Sequence, residues 1–251
     1  MNPPYYFITA NGKTRAYYNN VKYEGKEGII PLEQINDAVD GESLKTHLGK
    51  SISIHSANPF DIIEDFRRGP QTIVLKDAMY IIGRLGINKN SIVLEGGTGS
   101  GSMAAYFALY SSKVYSFERR KEFYDISAKN IGRIKSYDAF SDIIMIEDDI
   151  SSAPAHVKEK VDAIFLDVPE PWKYLEMLKP LLKDNGRIAC YVPNVTQAIE
   201  FANSLKGFVY EECSEVMVRQ WNVHGRIAKP HKELMHTAFL LFALNKRAAL
   251  Q

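Results

Sequence analysis

Four groups of acidic residues, Glu95, Glu118, the pair Asp148-Asp149 and Asp167, each follow a short apolar run. The runs are Ile92-Val93-Leu94, Val114 to Phe117, Ile143 to Ile146 and Ala163 to Leu166. Such runs are the mark of strands buried on both faces. One acid at a strand end is usually a helix cap or a solvated residue, but four strands in succession ending this way are hard to attribute to capping. In an open α/β sheet a ligand lies over the carboxyl ends of the strands, so the four groups describe one pocket. Carboxylates only accept hydrogen bonds, and they repel anions. The chemistry they suit is the holding of a cation that carries hydroxyl and amine donors.

Between Glu95 and the next helical pattern lies Gly96-Gly97-Thr98-Gly99-Ser100-Gly101-Ser102-Met103. Gly97, Gly99 and Gly101 have no Cβ, so the turn can take positive φ and a ligand can lie against its backbone, facing the N–H groups of the helix start. Residues 99–104 also fit the G-x-G-x-x-A pattern of dinucleotide-binding turns, which keeps a nicotinamide-dependent oxidoreductase open. The spacing E-x-G-x-G-x-G over Glu95, Gly97, Gly99 and Gly101 resembles motif I of the class I S-adenosylmethionine-dependent methyltransferases. That resemblance implies that Glu95 faces the cationic methionine end of the cofactor, with Ser100, Ser102 and Met103 completing the binding turn. Glu118 stands 17 positions after Gly101, the separation at which a second-strand carboxylate accepts both ribose hydroxyls. Asp149, or else Asp148, is then the acceptor for the adenine amine, with Arg119 and Phe123 beside the ring.

Asp167 opens Asp167-Val168-Pro169-Glu170-Pro171-Trp172. Two prolines around one residue fix φ and remove two amide donors, which makes a stiff rim of carbonyl acceptors. The plainer alternative is a proline-stiffened turn with Trp172 packed into the core.

The elements that position these residues alternate. A packing helix Lys76–Leu85 precedes the strand ending at Leu94. Then come helix Ser102–Tyr110, strand Lys113–Glu118, helix Lys121–Ile134, strand Ile143–Glu147, strand Ala163–Asp167, helix Trp172–Leu182, strand Arg187–Val192 and helix Val195–Leu205. Phe208–Val218 and His236–Leu244 close the chain without a helix between them. The pattern predicts a doubly wound parallel sheet with an antiparallel pair at its edge. Residues 1–56 read as short strands between Asn-Gly, Asn-Asn and Gly-rich turns, a small β-rich, barrel-like domain. Its Lys13, Arg15, Tyr17, Tyr18, Lys22 and Tyr23 suit either RNA stacking or the wall of a barrel, the wall being favoured. Residues 57–90 are read as a connector with the packing helix, and 91–251 as the ligand-binding domain.

A net charge of +1 gives no global pull toward nucleic acid. The charge is uneven, however. Arg219, Arg226, Lys229, Lys232, Lys246 and Arg247 oppose only Glu233 in the last segment, while 141–180 is acidic. Cys190 and Cys213 lie far apart without C-x-x-C or paired His, so no metal site is expected. The longest apolar run, Ala238 to Leu244, is too short for a bilayer, and the N-terminus has no signal pattern. The expectation is a cytoplasmic protein with no membrane association.

Four segments resemble a narrower family. They are Leu94-Glu-Gly-Gly-Thr-Gly-Ser-Gly101, Phe165-Leu-Asp-Val-Pro-Glu-Pro-Trp172, Tyr191-Val-Pro-Asn-Val-Thr-Gln197 and His236-Thr-Ala-Phe-Leu240. Together with Arg67 to Ala78 they are similar to the tRNA adenine-N1 methyltransferases that modify adenine 58 of the T loop. The resemblance implies a seven-stranded Rossmann-like methyltransferase sheet and S-adenosyl-L-methionine as cofactor. It further implies tRNA as substrate, a homotetramer and no metal, and leaves adenine 57 open as a second target. Asp167 with Glu170 and His236 is then the catalytic set, and Asp167 and Gln71 also join the cofactor residues. Arg67, Arg68, Pro169, Arg219, Arg226, Lys229, Lys232 and Thr237 face the RNA. Two positions depart from the family's pattern: Val74-Leu75 stand where relatives carry Tyr-Pro, and Met235 where they carry Gly. Motif I alone also fits methyltransferases acting on isoaspartate or corrinoid precursors, and a non-catalytic RNA-binding subunit is a further alternative.

Overall fold

The computed structural model describes residues 4–9, 12–14, 21–69, 72–135, 137–231 and 236–246. The chain divides into two compact units, Met1–Phe66 and Arg67–Gln251. The first contains β1 (Tyr5–Thr9), β2 (Gly12–Lys13), β3 (Tyr23–Gly25), β4 (Gly28–Ile30), α1 (Leu32–Asp37), β5 (Ser43–Lys45), β6 (Ser51–Ser56) and α2 (Pro59–Glu64). Strands β2-β1-β6-β5 form an antiparallel sheet, and β3-β4 a separate hairpin. Alternation along β1 turns Tyr5 and Phe7 into a core with Tyr23, Ile30, Ile35, Ile52 and Ile54. Tyr5 and Tyr23 are therefore wall residues, their hydroxyls donating to the Val21 carbonyl and to Glu27. Arg15, Tyr17 and Tyr18 lie outside the described residues. Helix α2 opens on a capping box between Asn58 and Asp61 with Pro59 at its first position. The expected connector, residues 57–90, is thus shared: α2 belongs to the first unit and the packing helix to the second.

The second unit begins with α3 (Leu75–Leu85), whose Ala78, Ile81, Ile82 and Leu85 are buried and whose end is set by Gly86 at φ 70°. There follow β7 (Ile92–Gly96), α4 (Ser102–Tyr110), β8 (Lys113–Phe117), α5 (Lys121–Gly132), β9 (Asp142–Ile146), α6 (Ala153–His156) and β10 (Val161–Leu166). The chain continues through α7 (Leu175–Leu178), β11 (Leu182–Val192), α8 (Val195–Asn203), β12 (Phe208–Ser214), β13 (Trp221–His224), β14 (Ile227–Pro230) and β15 (Phe239–Asn245). Seven strands form one sheet in the order β12-β15-β11-β10-β7-β8-β9. Strands β11-β10-β7-β8-β9 pair in parallel, and β15 runs antiparallel to both β11 and β12. The doubly wound sheet with an antiparallel edge is therefore the fold. Leu94, Ile164, Leu166, Ile188 and Leu241 pack in one core cluster with Leu178 and Phe201, while Phe107 of α4 meets Phe165 edge-on at 5.7 Å.

One expected element differs and one element is additional. The helix read over Trp172–Leu182 is broken into a 3-10 turn at Pro171–Tyr174, a single α turn, and a second 3-10 turn at Lys179–Leu181. Pro180 withdraws an amide donor, and β11 already begins at Leu182. The hairpin β13-β14, turning at Gly225 with φ 57°, was not anticipated. No helix among the described residues is long and apolar enough to cross a membrane.

Candidate active site

The sheet order decides where a ligand can enter. From β7 the chain runs outward through β8 and β9, then returns to β10 on the other side of β7. The strand order reverses between β7 and β10, and the crevice lies there, at the strands' carboxyl ends. Its lining includes Gly97, Glu118, Arg119, Asp148, Asp149, Asp167 and Pro169, all singled out from the sequence, together with Phe117, Arg120, Ile150, Val168 and Tyr174.

The glycine turn is held from three sides. Gly97 has φ 91°, and a Cβ there would stand 2.0 Å from the Asp167 carbonyl oxygen, so this glycine lets the β7 and β10 loops touch. The Asp167 amide donates back to the Gly96 carbonyl at 2.9 Å. Glu118, 2% exposed, accepts from the Gly99 amide at 3.0 Å through one oxygen and from the Arg120 amide and Nε through the other. A carboxylate has about four lone-pair sites, three of which are used, so Glu118 keeps about one for a ligand hydroxyl. Asn130 of α5, 1% exposed, donates to the carbonyls of Ser100 and Arg67 and accepts from the Arg67 amide. Sequence reading missed Asn130, which joins the turn to the segment before α3. Ser100, Ser102 and Met103 are buried, with the two serine hydroxyls 2.9 Å apart. Their side chains therefore serve the turn's own packing. Gly101 caps α4 at φ 84°.

Glu95 is fully buried. One of its oxygens accepts from Ser116, and the other, Oε1, has no partner among the described residues. Burial pushes its carboxyl up to about 8; the Ser116 hydrogen bond opposes the rise, and Asp167 and Glu118 add to it. Asp167 lies at the base of the crevice, enclosed by protein yet reachable by solvent. Burial raises it to about 7, the charge of Arg120 opposing and that of Glu118 reinforcing. Burial also works against ionisation of Asp149, but the Ser151 hydrogen bonds and the Arg119 charge prevail and hold it low. Ser152, the Asp149 amide and His156 hold the exposed Asp148 low as well. Of the two, Asp149 is the more enclosed, and it contacts Arg119 and Tyr174 at 3.4 Å.

The two raised acids make a statement about stability. Their folded values lie above the ordinary 4.5 and 3.8, so the unfolded chain ionises first as pH rises. The stability they contribute is complete below about pH 4 and is lost as pH climbs toward 8. The melting temperature of the ligand-free protein is expected to fall between pH 5 and 8, and Glu95→Gln to flatten that fall. A wild-type profile equal in slope to the variant's would contradict the assignment.

Other candidates lie away from the crevice lining. Glu170 takes φ 55°, unusual for a residue with a Cβ, and is exposed, pairing with Lys173 at 2.6 Å. Trp172 packs on the core cluster. Both nitrogens of His236 face acceptors, Glu215 at 2.6 Å and the Pro193 carbonyl at 3.2 Å. Glu215, then the Pro193 carbonyl, raises its pKa. The ring is thus engaged as a staple between chain segments. Thr237 accepts from Lys76 at 2.8 Å. Arg67, Arg68, Arg219, Arg226 and Lys229 are exposed, with Arg219 5.9 Å from the Trp221 ring. Phe123, proposed beside the ligand's ring, lies 3.9 Å under the Arg120 guanidinium. Gln71, Lys232 and Met235 lie outside the described residues. No group of three or more metal-binding side chains occurs among the described residues.

A crevice lined by four carboxyl groups and two arginines accommodates a ligand with a cationic end, hydroxyls and an amine; Glu95, whose Oε1 has no donor among the described residues, is buried outside that lining. The chain is similar to several known methyltransferases. The tRNA (adenine(57)-N(1)/adenine(58)-N(1))-methyltransferase of Methanocaldococcus jannaschii is 28% identical over 94% of this chain and 93% of its own. The tRNA (adenine(58)-N(1))-methyltransferase of Thermus thermophilus is 30% identical over 91% of this chain and 92% of its own. Among solved structures, a SAM-dependent O-methyltransferase from Thermotoga maritima superposes with a TM-score of 0.84 at 26% identity, covering 100% of this chain and 96% of that one. Residues 65–235 match the family of the tRNA methyltransferase complex GCD14 subunit. That match takes in the glycine turn, every strand-end acid and the proline rim, more than half of the chain, and the chain belongs to the GCD14 tRNA methyltransferase family.

Proposed function

We propose that the protein transfers a methyl group from S-adenosylmethionine to N1 of adenine 58 in the T loop of tRNA. Adenine 57, which the archaeal relative's name adds, is the second candidate. The observation that carries the reading is Asp167, a carboxyl at the base of a switch-point crevice with Val168 and Pro169 at its side.

The acids fit the cofactor. Glu95, with its unpartnered buried oxygen, suits the cationic amino group, Glu118 a ribose hydroxyl, and Asp149 the adenine amine. When bound, S-adenosylmethionine supplies the methyl group as a sulfonium. Adenine N1 has an in-plane lone pair, so no residue has to remove a proton before attack, and the product base is a cation. What remains for the protein is placement and charge. Asp167 accepts from the N6 amine of the target, which fixes the direction of N1, and its negative charge stabilises the cation as it forms. Pro169 and Pro171 have no N–H, so the rim presents acceptors to the same amine. N1 lies on the Watson–Crick edge, and the adenosine has to turn out of the T loop to reach the crevice.

The exposed cations Arg67, Arg68, Arg219, Arg226 and Lys229 suit the phosphate backbone. Register places Trp221, Val223, Ala228 and Pro230 on one face of the β13-β14 hairpin, with Trp221 53% and Val223 71% exposed. An apolar two-stranded hairpin gains stability by packing on something else, which supports assembly as a homotetramer. A tRNA substrate fits a cytoplasmic enzyme. The reading is tested with labelled S-adenosylmethionine and two unmodified transcripts. The natural one is expected to take up methyl and one with guanine at position 58 to take up none; equal uptake would move the acceptor elsewhere.

A further inference from the structure

The hairpin leaves the sheet after β12 and returns at β15, and one side chain from a distant helix holds both ends. Lys76, in the first turn of α3, is mostly buried, with 16% of its side chain exposed. Its ammonium has three donors and three acceptors: Asp77 Oδ1 at 2.8 Å, Thr237 Oγ1 at 2.8 Å, and the carbonyl of Val216. Val216 lies just beyond β12 and Thr237 just before β15, so these bonds close the base from which the hairpin projects. The remaining oxygen of Asp77 accepts from the Tyr191 hydroxyl at 3.1 Å. Burial and Asp77 raise the Tyr191 pKa, which keeps the phenol protonated. Tyr191, Asp77, Lys76 and Thr237 therefore form one continuous hydrogen-bonded chain. Leu166 pairs with Cys190 in the parallel sheet, so the next residues along, Asp167 and Tyr191, are neighbours. The base of the hairpin and the wall of the crevice share one knot.

We infer that Lys76 is a positioning residue for the acceptor RNA: it fixes the hairpin carrying Arg219, Arg226 and Lys229 relative to Asp167. The inference rests on the tRNA reading above. Charge neutralisation of Asp77 alone would need only one of the three bonds. The other two reach residues 140 and 161 positions away, and they are what ties the hairpin down. His236 reinforces the closure, since its partner Glu215 stands on the outgoing side.

Two variants separate these roles. Lys76→Met keeps the length of the side chain but removes all three donors. Lys76→Met/Asp77→Asn also removes the buried charge that the single variant leaves unpaired, so it folds where the single variant fails. Both are expected to raise amide exchange in Trp221–Pro230 and the KM for tRNA by about tenfold. kcat and the Kd for S-adenosylmethionine are expected to stay within about twofold. Wild-type exchange and KM in the double variant would overturn the inference and leave Lys76 as a counter-ion. A wild-type protein that does not methylate tRNA would defeat the functional reading instead, while the exchange measurement still decides the clamp.

Discussion

Asp167→Ala is expected to lower methyl-transfer turnover by about 10²–10³-fold while weakening S-adenosylmethionine binding less than Glu118→Ala does. The difference follows from what each carboxyl touches. Glu118 is buried and holds the Gly99 amide and Arg120, so its removal loosens the turn on which the cofactor rests. Asp167 makes its structural hydrogen bond through its backbone amide, to the Gly96 carbonyl, and the alanine variant keeps that bond. In the proposed reading its carboxyl serves the acceptor base. Arg120 also lies near enough to lower the Asp167 pKa against burial, so cofactor affinity is not expected to stay wholly unchanged. The direct comparison is single-turnover transfer beside calorimetric binding for both variants. Equal loss of binding would make Asp167 a cofactor contact.

Gly97→Val is expected to abolish both cofactor binding and transfer and to destabilise the second unit by about 3 kcal/mol or more. A Cβ at this position meets the Asp167 carbonyl oxygen at 2.0 Å and the carbonyl carbon at 2.8 Å. Both are backbone atoms and cannot swing aside, and φ of 91° is unfavourable for any β-branched residue. The substitution drives apart the two loops whose contact forms the floor of the crevice. Gly132 offers the control: a Cβ there meets nothing within 4 Å, so Gly132→Ala is expected to leave binding intact. Thermal melting and cofactor titration of the two variants check the pair. Wild-type affinity in Gly97→Val would show that the loops need not touch.

Much of this site was legible because a parallel sheet makes its chemistry local. Each strand end is read from the strand before it, and four such ends converge once the order of strands is known. Glu118, Asp149 and Asp167 needed only that rule to be placed along one crevice, whereas Glu95 is buried outside its lining. What escaped is what depends on distant partners. Asn130 and Lys76 sit in helices, and nothing around either announces contacts with Ser100, Val216 or Thr237. His236 looked like a rim residue because its motif is specific, whereas its ring is occupied by Glu215 and the Pro193 carbonyl. Apolar spacing over Trp172–Leu182 suits a helix, but Pro171 and Pro180 break it into short turns. The hairpin was missed because its exposed apolar residues alternate over only four positions a side.

The most direct test of the central claim is to identify the methylated nucleotide. Unmodified tRNA transcript, incubated with the protein and S-adenosylmethionine, is digested and its nucleosides are mapped by mass. The site described above predicts 1-methyladenosine in the T loop at position 58, formed by wild-type protein and about 10²–10³-fold more slowly by Asp167→Ala. Methyl on a ribose oxygen or another base, or no transfer by protein that binds the cofactor tightly, would contradict it.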